Sequence, residues 1–211
     1  MPIFKNRQEA GHTLAQKLIS YRDQPVVVLG LPRGGVILAA EIASMLNAPL
    51  DLAFARKIGH PLQEEYAIAA ISEKGNFIGN EGELKRVDQK WLKEKQEAAL
   101  AEIKERRHTY LKERNRLPLK DKTVILADDG IATGLSIQAA IQEIKNEHPK
   151  KLIIAVPVLP EYVANILKKQ IDELIAIRID PDHLFLGSVG AYYEKFEQVT
   201  DQEIISIMNA F

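Results

Sequence analysis

Short apolar runs alternate with segments of helical periodicity along most of the chain. "PVVVLG" (25–30), "TVILA" (123–127), "KLIIAVPVL" (151–159) and "DELIAIRI" (172–179) are continuous apolar runs of strand length. That is the pattern of strands covered on both faces. Between them, "VILAAEIASMLN" (36–47), residues 135–146 and "EYVANILKKQ" (161–170) repeat their apolar positions at helical spacing. Strand–helix–strand alternation predicts right-handed crossovers and a parallel sheet. Asn6 and Glu9 form a capping box opening a helix to about Tyr21, with Leu14, Leu18 and Tyr21 as its apolar stripe. Thr200 and Glu203 cap the closing helix, "TDQEIISIMNAF".

Four segments depart from this rhythm. "APLDLAFARKI" (48–58) reads as one strand, and "GHPLQEE" (59–65), with Gly59 and Pro61 as breakers, as a loop. "YAIAAISE" and "FIGN", joined by "KGN", read as a β-hairpin. Residues 84–116 read as one long, basic, amphipathic helix, broken at most once and ended by Pro118. Leu84, Val87 and Trp91 share a face that Ala99, Ile103 and Tyr110 continue, and Glu102 and Arg106 pair at i,i+4.

Composition narrows the function. The chain has 211 residues, 46% hydrophobic and 27% charged, with a formal net charge of −1. This is an ordinary globular composition without the basic excess of a nucleic-acid binder. With no cysteine, thiolate metal sites and cysteine nucleophiles are excluded. His12, His60, His108, His148 and His183 are too scattered for a helical metal site. The start "MPIFKNRQEAGHTLAQ" lacks a signal-peptide core, and no apolar window spans a membrane, so a cytoplasmic location is expected.

The chemistry gathers in "TVILADDGIATGLS" (123–136), a strand that ends in Asp128 and Asp129 and passes through "GIATG" into a helix. Ligands of a parallel sheet collect at the carboxyl ends of its strands. A helix N-terminus favours an anion through free N–H groups and its dipole. Gly130, Ala132, Thr133 and Gly134 are small enough for a phosphate to approach, and Thr133 and Ser136 add hydroxyl donors. Two carboxylates beside a phosphate cradle fit a sugar phosphate, its diol on the acids, with water on a bound magnesium also within their reach.

"VILADDGIATGLS" resembles the phosphoribosyl-diphosphate (PRPP) motif of type I phosphoribosyltransferases, and "PRGGV", "RKIGHP", "DDGIATG" and "VGAYYEKF" together resemble a bacterial group of predicted phosphoribosyltransferases. The likeness spans roughly residues 25–196 and implies an α/β fold of three layers. A central, mainly parallel sheet would carry a small hood from the N-terminal segment and residues 181–211, with a helical insertion at 84–116, all in one domain. It implies PRPP binding by Asp128, Asp129, Gly130, Ile131, Ala132, Thr133, Gly134, Leu135 and Ser136. Pyrophosphate would be gripped by Pro32, Arg33, Gly34 and Gly35, where Pro32–Arg33 is the position of a cis peptide in the family, and by Arg56 and Lys57. Strand alternation puts those last two on opposite faces, and Lys57 is the one expected inward. Loop 58–66 would close over the site.

The implied reaction is Mg²⁺-dependent. A nitrogenous acceptor attacks C1 of the ribose with inversion, and pyrophosphate leaves. Arg33, Lys57, Asp128 and Asp129 are the implied catalytic residues, and Mg²⁺ would be held mainly by PRPP, with the two acids reaching it through water. Glu64, Glu65, Phe185, Tyr192 and Tyr193 are the acceptor candidates. Ala132 replaces the aspartate of 6-oxopurine enzymes, which argues against hypoxanthine or guanine, and Leu135 replaces a glycine or lysine. A PRPP- or nucleotide-sensing regulator and a hydrolase of a ribose phosphate remain open, and a homodimer fits the family's habit.

Overall fold

The computed structural model describes residues 3–211, and its centre is a five-stranded sheet. β1 (Val26–Gly30), β2 (Leu50–Leu52), β6 (Thr123–Ala127), β7 (Lys151–Pro160) and β8 (Glu173–Asp180) lie in the order β2-β1-β6-β7-β8, every pair parallel. Side-chain alternation divides the core. Val26, Val28, Ile125, Ala127, Ile153 and Ala155 face one layer, with α1 (Arg7–Lys17) and α2 (Gly34–Leu46). Val27, Leu29, Val124, Leu126, Leu152 and Ile154 face the other, with α5 (Leu135–Lys145) and α6 (Glu161–Leu167). The continuous apolar runs exist because both faces are covered.

The capping signals behave as local chemistry requires, with one refinement. Asn6 accepts from the Glu9 N–H at 2.9 Å, but the Glu9 carboxylate reaches back to the N–H of Lys5 rather than of Asn6. Thr200 and Glu203 form the full reciprocal box at the start of α7 (Asp201–Ala210).

The stretch 48–58 is two strands, not one. β2 ends at Leu52, and β3 (Ala55–His60) leaves for a separate antiparallel sheet, β3-β4-β5, with β4 (Gln63–Ser72) and β5 (Phe77–Gly79). The segment 59–65 is likewise not a loop. Gly59 and His60 continue β3, Pro61 and Leu62 form the turn, and β4 begins at Gln63. Gly59 permits this because a Cβ there would lie 1.9 Å from the Glu64 carbonyl. The ladder absorbs the tight turn as a register irregularity at Ile58–His60.

The long helix breaks once, into α3 (Glu81–Leu84) and α4 (Gln89–Leu111), the second capped by the Asp88 side chain on the Trp91 N–H. It ends at Leu111, seven residues before Pro118, and the φ of 50° at Lys112 stops the helix without proline. Leu92, Ala99, Ile103, Tyr110 and Leu111 are its buried face. Among the described residues no helix is long and apolar enough to cross a membrane.

Charge joins the small sheet to the large one. Arg116 bridges Glu73, at the end of β4, to Glu143 of α5 at 2.9 Å, and Arg107 of α4 reaches Glu73 at 3.3 Å. The two carboxylates are only 11% and 10% exposed, so they depend on these cations. Arg116→Ala should cost about 2–3 kcal/mol, read as a lowered urea midpoint with an unchanged slope. A loss under about 0.5 kcal/mol, the range of an exposed pair, would contradict the role.

Candidate functional site

The chain places β2 on one side of β1 and β6 on the other, so the sheet order reverses between β1 and β6. At such a reversal the loops leaving the two strands diverge and open a crevice. Here they are Leu31–Arg33 and Asp128–Gly134. Their roots are tied together, since Leu31 N–H donates to the Ala127 carbonyl at 3.0 Å. A Cβ on Gly35 would meet that carbonyl at 2.6 Å, and one on Gly34 would meet the Asp129 carboxylate at 1.8 Å. The glycine pair therefore lets one loop seat against the other. The Pro32–Arg33 peptide is cis.

A cleft of about 290 Å³ lies there, lined by Arg33, Gly34, Lys57, Asp128–Gly134 and Ser136. Gly134 has φ 77° and ψ 0°, and this left-handed residue turns the chain into α5. Among the described residues, the N–H groups from Ala132 to Ile137 find no protein acceptor. Ile131 differs, because its N–H donates to the Val158 carbonyl at 2.9 Å and its side chain is core. The cradle thus consists of 132–137 rather than starting at Ile131.

Burial acts on both acids, and the charge of one acts on the other. Asp129 N–H donates to Asp128 Oδ1 at 2.8 Å. Burial, then the Asp129 charge, pushes the Asp128 carboxyl well above the usual carboxylate range, with Lys57 opposing. Burial also raises Asp129, against the Arg7 guanidinium, whose Nε donates to Oδ2 at 2.7 Å. Arg7 is 8% exposed, donates from Nη1 to the Glu197 carbonyl at 2.8 Å, and lies 3.8 Å from the Phe196 ring centroid.

Arg7 is a site residue that sequence reasoning missed. A basic residue in the first turn of a capped helix opposes the helix dipole, and that was the available signal. Asp201 is another, because its carboxylate accepts from Tyr110 Oη at 2.6 Å and lies 3.7 Å from Arg33 Nη1.

β3 supplies the opposite wall. Lys57 lines the cleft, whereas Arg56 points away and pairs with Glu102 of α4 at 2.9 Å. Glu64 and Glu65 are exposed at the hairpin end. Tyr192 and Tyr193 offer no ring face to a ligand. Tyr192 is fully buried and donates to Asp180, and Tyr193 donates to the Asp129 carbonyl at 2.6 Å. Both carry hydroxyls that a buried ring must satisfy, which makes them core residues holding the loops. Phe185 packs on Tyr192, 5.5 Å between centroids. No group of three or more His, Asp or Glu able to hold a metal occurs among the described residues.

Comparison with known proteins bears on this arrangement. Residues 3–180 match the family model of the phosphoribosyl transferase domain. Two Mycobacterium tuberculosis sequences, named "Putative phosphoribosyl transferase" MT0597 and Rv0571c, are 35% identical over 99% of this chain. The chain spans about half of their length, 47%. The crystal structure of TT1426 from Thermus thermophilus is similar over 99% of this chain and 98% of that one, with 35% identity and a TM-score of 0.80. AQ2163 from Aquifex aeolicus, 12% identical over 83% of this chain and 75% of that one, shares the fold with a TM-score of 0.51.

The raised Asp128 carboxyl makes a stability prediction. A carboxyl whose pKa is raised on folding destabilises the fold as pH climbs from the unfolded value, about 3.9, through the folded one. Asp128→Asn should therefore raise Tm at pH 8, by about 2–4 °C, the shift that 1 kcal/mol gives a chain of this size. The gain should shrink toward pH 4. Calorimetry at both pH values checks this, and an equal or larger gain at pH 4 would refute the assignment.

Proposed function

This chain belongs to the phosphoribosyl transferase domain family, and we propose that it transfers the 5-phosphoribosyl group of PRPP to a nitrogenous acceptor, releasing pyrophosphate. The observation that carries the reading is one cleft lined by Ala132–Gly134 and Ser136, whose N–H groups have no protein acceptor among the described residues, by Asp128 and by Lys57. In this assignment the 5-phosphate sits on the N–H groups and the Thr133 and Ser136 hydroxyls. The ribose hydroxyls donate to Asp128 and, in exchange with Arg7, to Asp129. Arg33, Lys57 and the Pro32–Gly35 loop meet the diphosphate, and Arg56, held by Glu102, does not.

The acceptor nitrogen forms its bond to C1 as the bond from C1 to the diphosphate oxygen breaks. Positive charge grows on the ribose beside the carboxylates and negative charge on the diphosphate beside Arg33 and Lys57, so the chain's work is positioning and charge stabilisation. The donor set suits Mg²⁺ carried on the diphosphate, with Asp128 as the less engaged carboxylate and Asp129 already paired with Arg7. When bound, the ion would neutralise diphosphate charge. A regulator that binds PRPP without turnover is favoured by one observation, the Arg7 guanidinium on the carboxylate a ribose diol would need.

Phosphorus NMR of the chain with PRPP and Mg²⁺, with and without a pool of bases and amines, separates the readings. Pyrophosphate appearing only with the pool is the expected result. Shifted PRPP signals with no release would favour the regulator, and release in water alone a hydrolase. Lys57→Ala should lower kcat about a hundredfold with a smaller loss of PRPP affinity. Unchanged turnover would remove Lys57 from the reaction.

A further inference from the structure

A free N–H group binds an anion well only if its peptide plane is held in one orientation. One plane of the cradle is held by a residue from outside the 123–136 stretch. The Ala132 carbonyl accepts from the Tyr162 hydroxyl at 2.9 Å, and among the described residues it has no other donor. In a trans peptide the C=O and the N–H of the next residue point in opposite directions. The Thr133 N–H is therefore aimed away from Tyr162. Thr133 lines the cleft and Tyr162 lies outside that lining, so this direction leads into the cleft. Donation to the carbonyl also polarises the peptide and strengthens its N–H as a donor.

Tyr162 is itself fixed. It stands in the first turn of α6, whose N-cap is Pro160, a side chain that cannot accept a hydrogen bond. Asp182, in the segment after β8, supplies the acceptor, and the Tyr162 N–H donates to its Oδ1 at 2.9 Å. Val163, the next residue, backs the turn, since a Cβ on Gly134 would meet its Cγ1 at 2.9 Å. Burial, then the Asp182 charge, pushes the Tyr162 hydroxyl above the usual phenol range, so it stays a donor at neutral pH. The residue is 44% exposed, so its hydroxyl holds it here more than packing of its ring.

We infer that Tyr162 is a positioning residue of the phosphate cradle: through the Ala132 carbonyl it turns the Thr133 N–H toward the 5-phosphate. This rests on the phosphoribosyl-transfer reading, which places that phosphate on these N–H groups, and it adds a residue of α6 to the site. Tyr162 does not touch the ligand. Its effect passes through one peptide plane, and Asp182 ties that plane to the segment after β8.

The full chain, labelled with ¹⁵N, is titrated with PRPP and Mg²⁺ in the absence of any acceptor and followed by ¹H–¹⁵N spectra. In the wild type the Thr133, Leu135 and Ser136 amide protons should move downfield, as charge-assisted hydrogen bonds require. Tyr162→Phe keeps the exposed ring and removes only the hydroxyl. It should bind PRPP about fivefold more weakly, with the Thr133 response lost and those of Leu135 and Ser136 kept. A Thr133 response that survives Tyr162→Phe overturns the inference, whatever the affinity. An equal loss at all three amides also overturns it, because the hydroxyl would then only support the loop. The two levels separate in the wild type. Cradle amides that respond to PRPP there but ignore Tyr162→Phe remove the positioning role alone. Cradle amides that stay silent in the wild type remove the phosphate placement, and the transfer reading and this inference with it.

Discussion

The parallel pairing of β1 with β6 is the constraint on which the rest depends. Its register ends with Gly30 opposite Ala127, so two loops leave the sheet side by side at the point where strand order reverses. Neither loop has space of its own. The Asp129 carboxylate occupies the volume a side chain at position 34 would need, and the Ala127 carbonyl that of position 35. An acid pair and a glycine pair far apart in sequence are thus two halves of one packing solution, and the cleft is what remains between them.

That solution carries an electrostatic cost. Burial at the strand end disfavours ionisation of both carboxyls, the Asp129 charge adds to this at Asp128, and the fold opposes it with Arg7 on one and Lys57 near the other. Arg7 is fixed in turn by the Glu197 carbonyl and the Phe196 ring, and the Tyr193 hydroxyl holds the Asp129 backbone. The first helix and the aromatic C-terminal segment therefore act as the scaffold of the acids. Carboxyls perturbed by burial and neighbouring charge concentrate where ligands bind, because a ligand's own charge can complete the balance.

The elements around the cleft are coupled through few groups. Asp201, at the start of α7, accepts from Tyr110 of α4 and faces Arg33 of the loop after β1. Burial, then that hydrogen bond, pushes the Tyr110 hydroxyl up to about 12, so it stays a donor at any physiological pH. Glu102 ties α4 to β3 through Arg56. Pairs at this exposure contribute little to stability. Their effect is to aim: α4, β3 and the loop after β1 hold fixed places about one opening.

The sequence by itself determined the sheet, its strands and the acid-bearing turn. Each rests on local periodicity or on residue types whose chemistry acts within a few positions, as with the Thr200–Glu203 cap or the small residues of 130–134. It also placed Lys57 and Arg56 on opposite faces, because alternation along a strand is local. Tertiary structure decided what depends on partners distant in sequence. It split 48–58 between two sheets and made 59–65 the tip of a hairpin. It took the Ile131 N–H for Val158, and turned Tyr192 and Tyr193 inward, where their hydroxyls meet Asp180 and the Asp129 carbonyl. Arg7 shows the limit most plainly. Its partner lies 122 positions away, and nothing in a helix's first turn encodes which carboxylate the folded chain will bring to it.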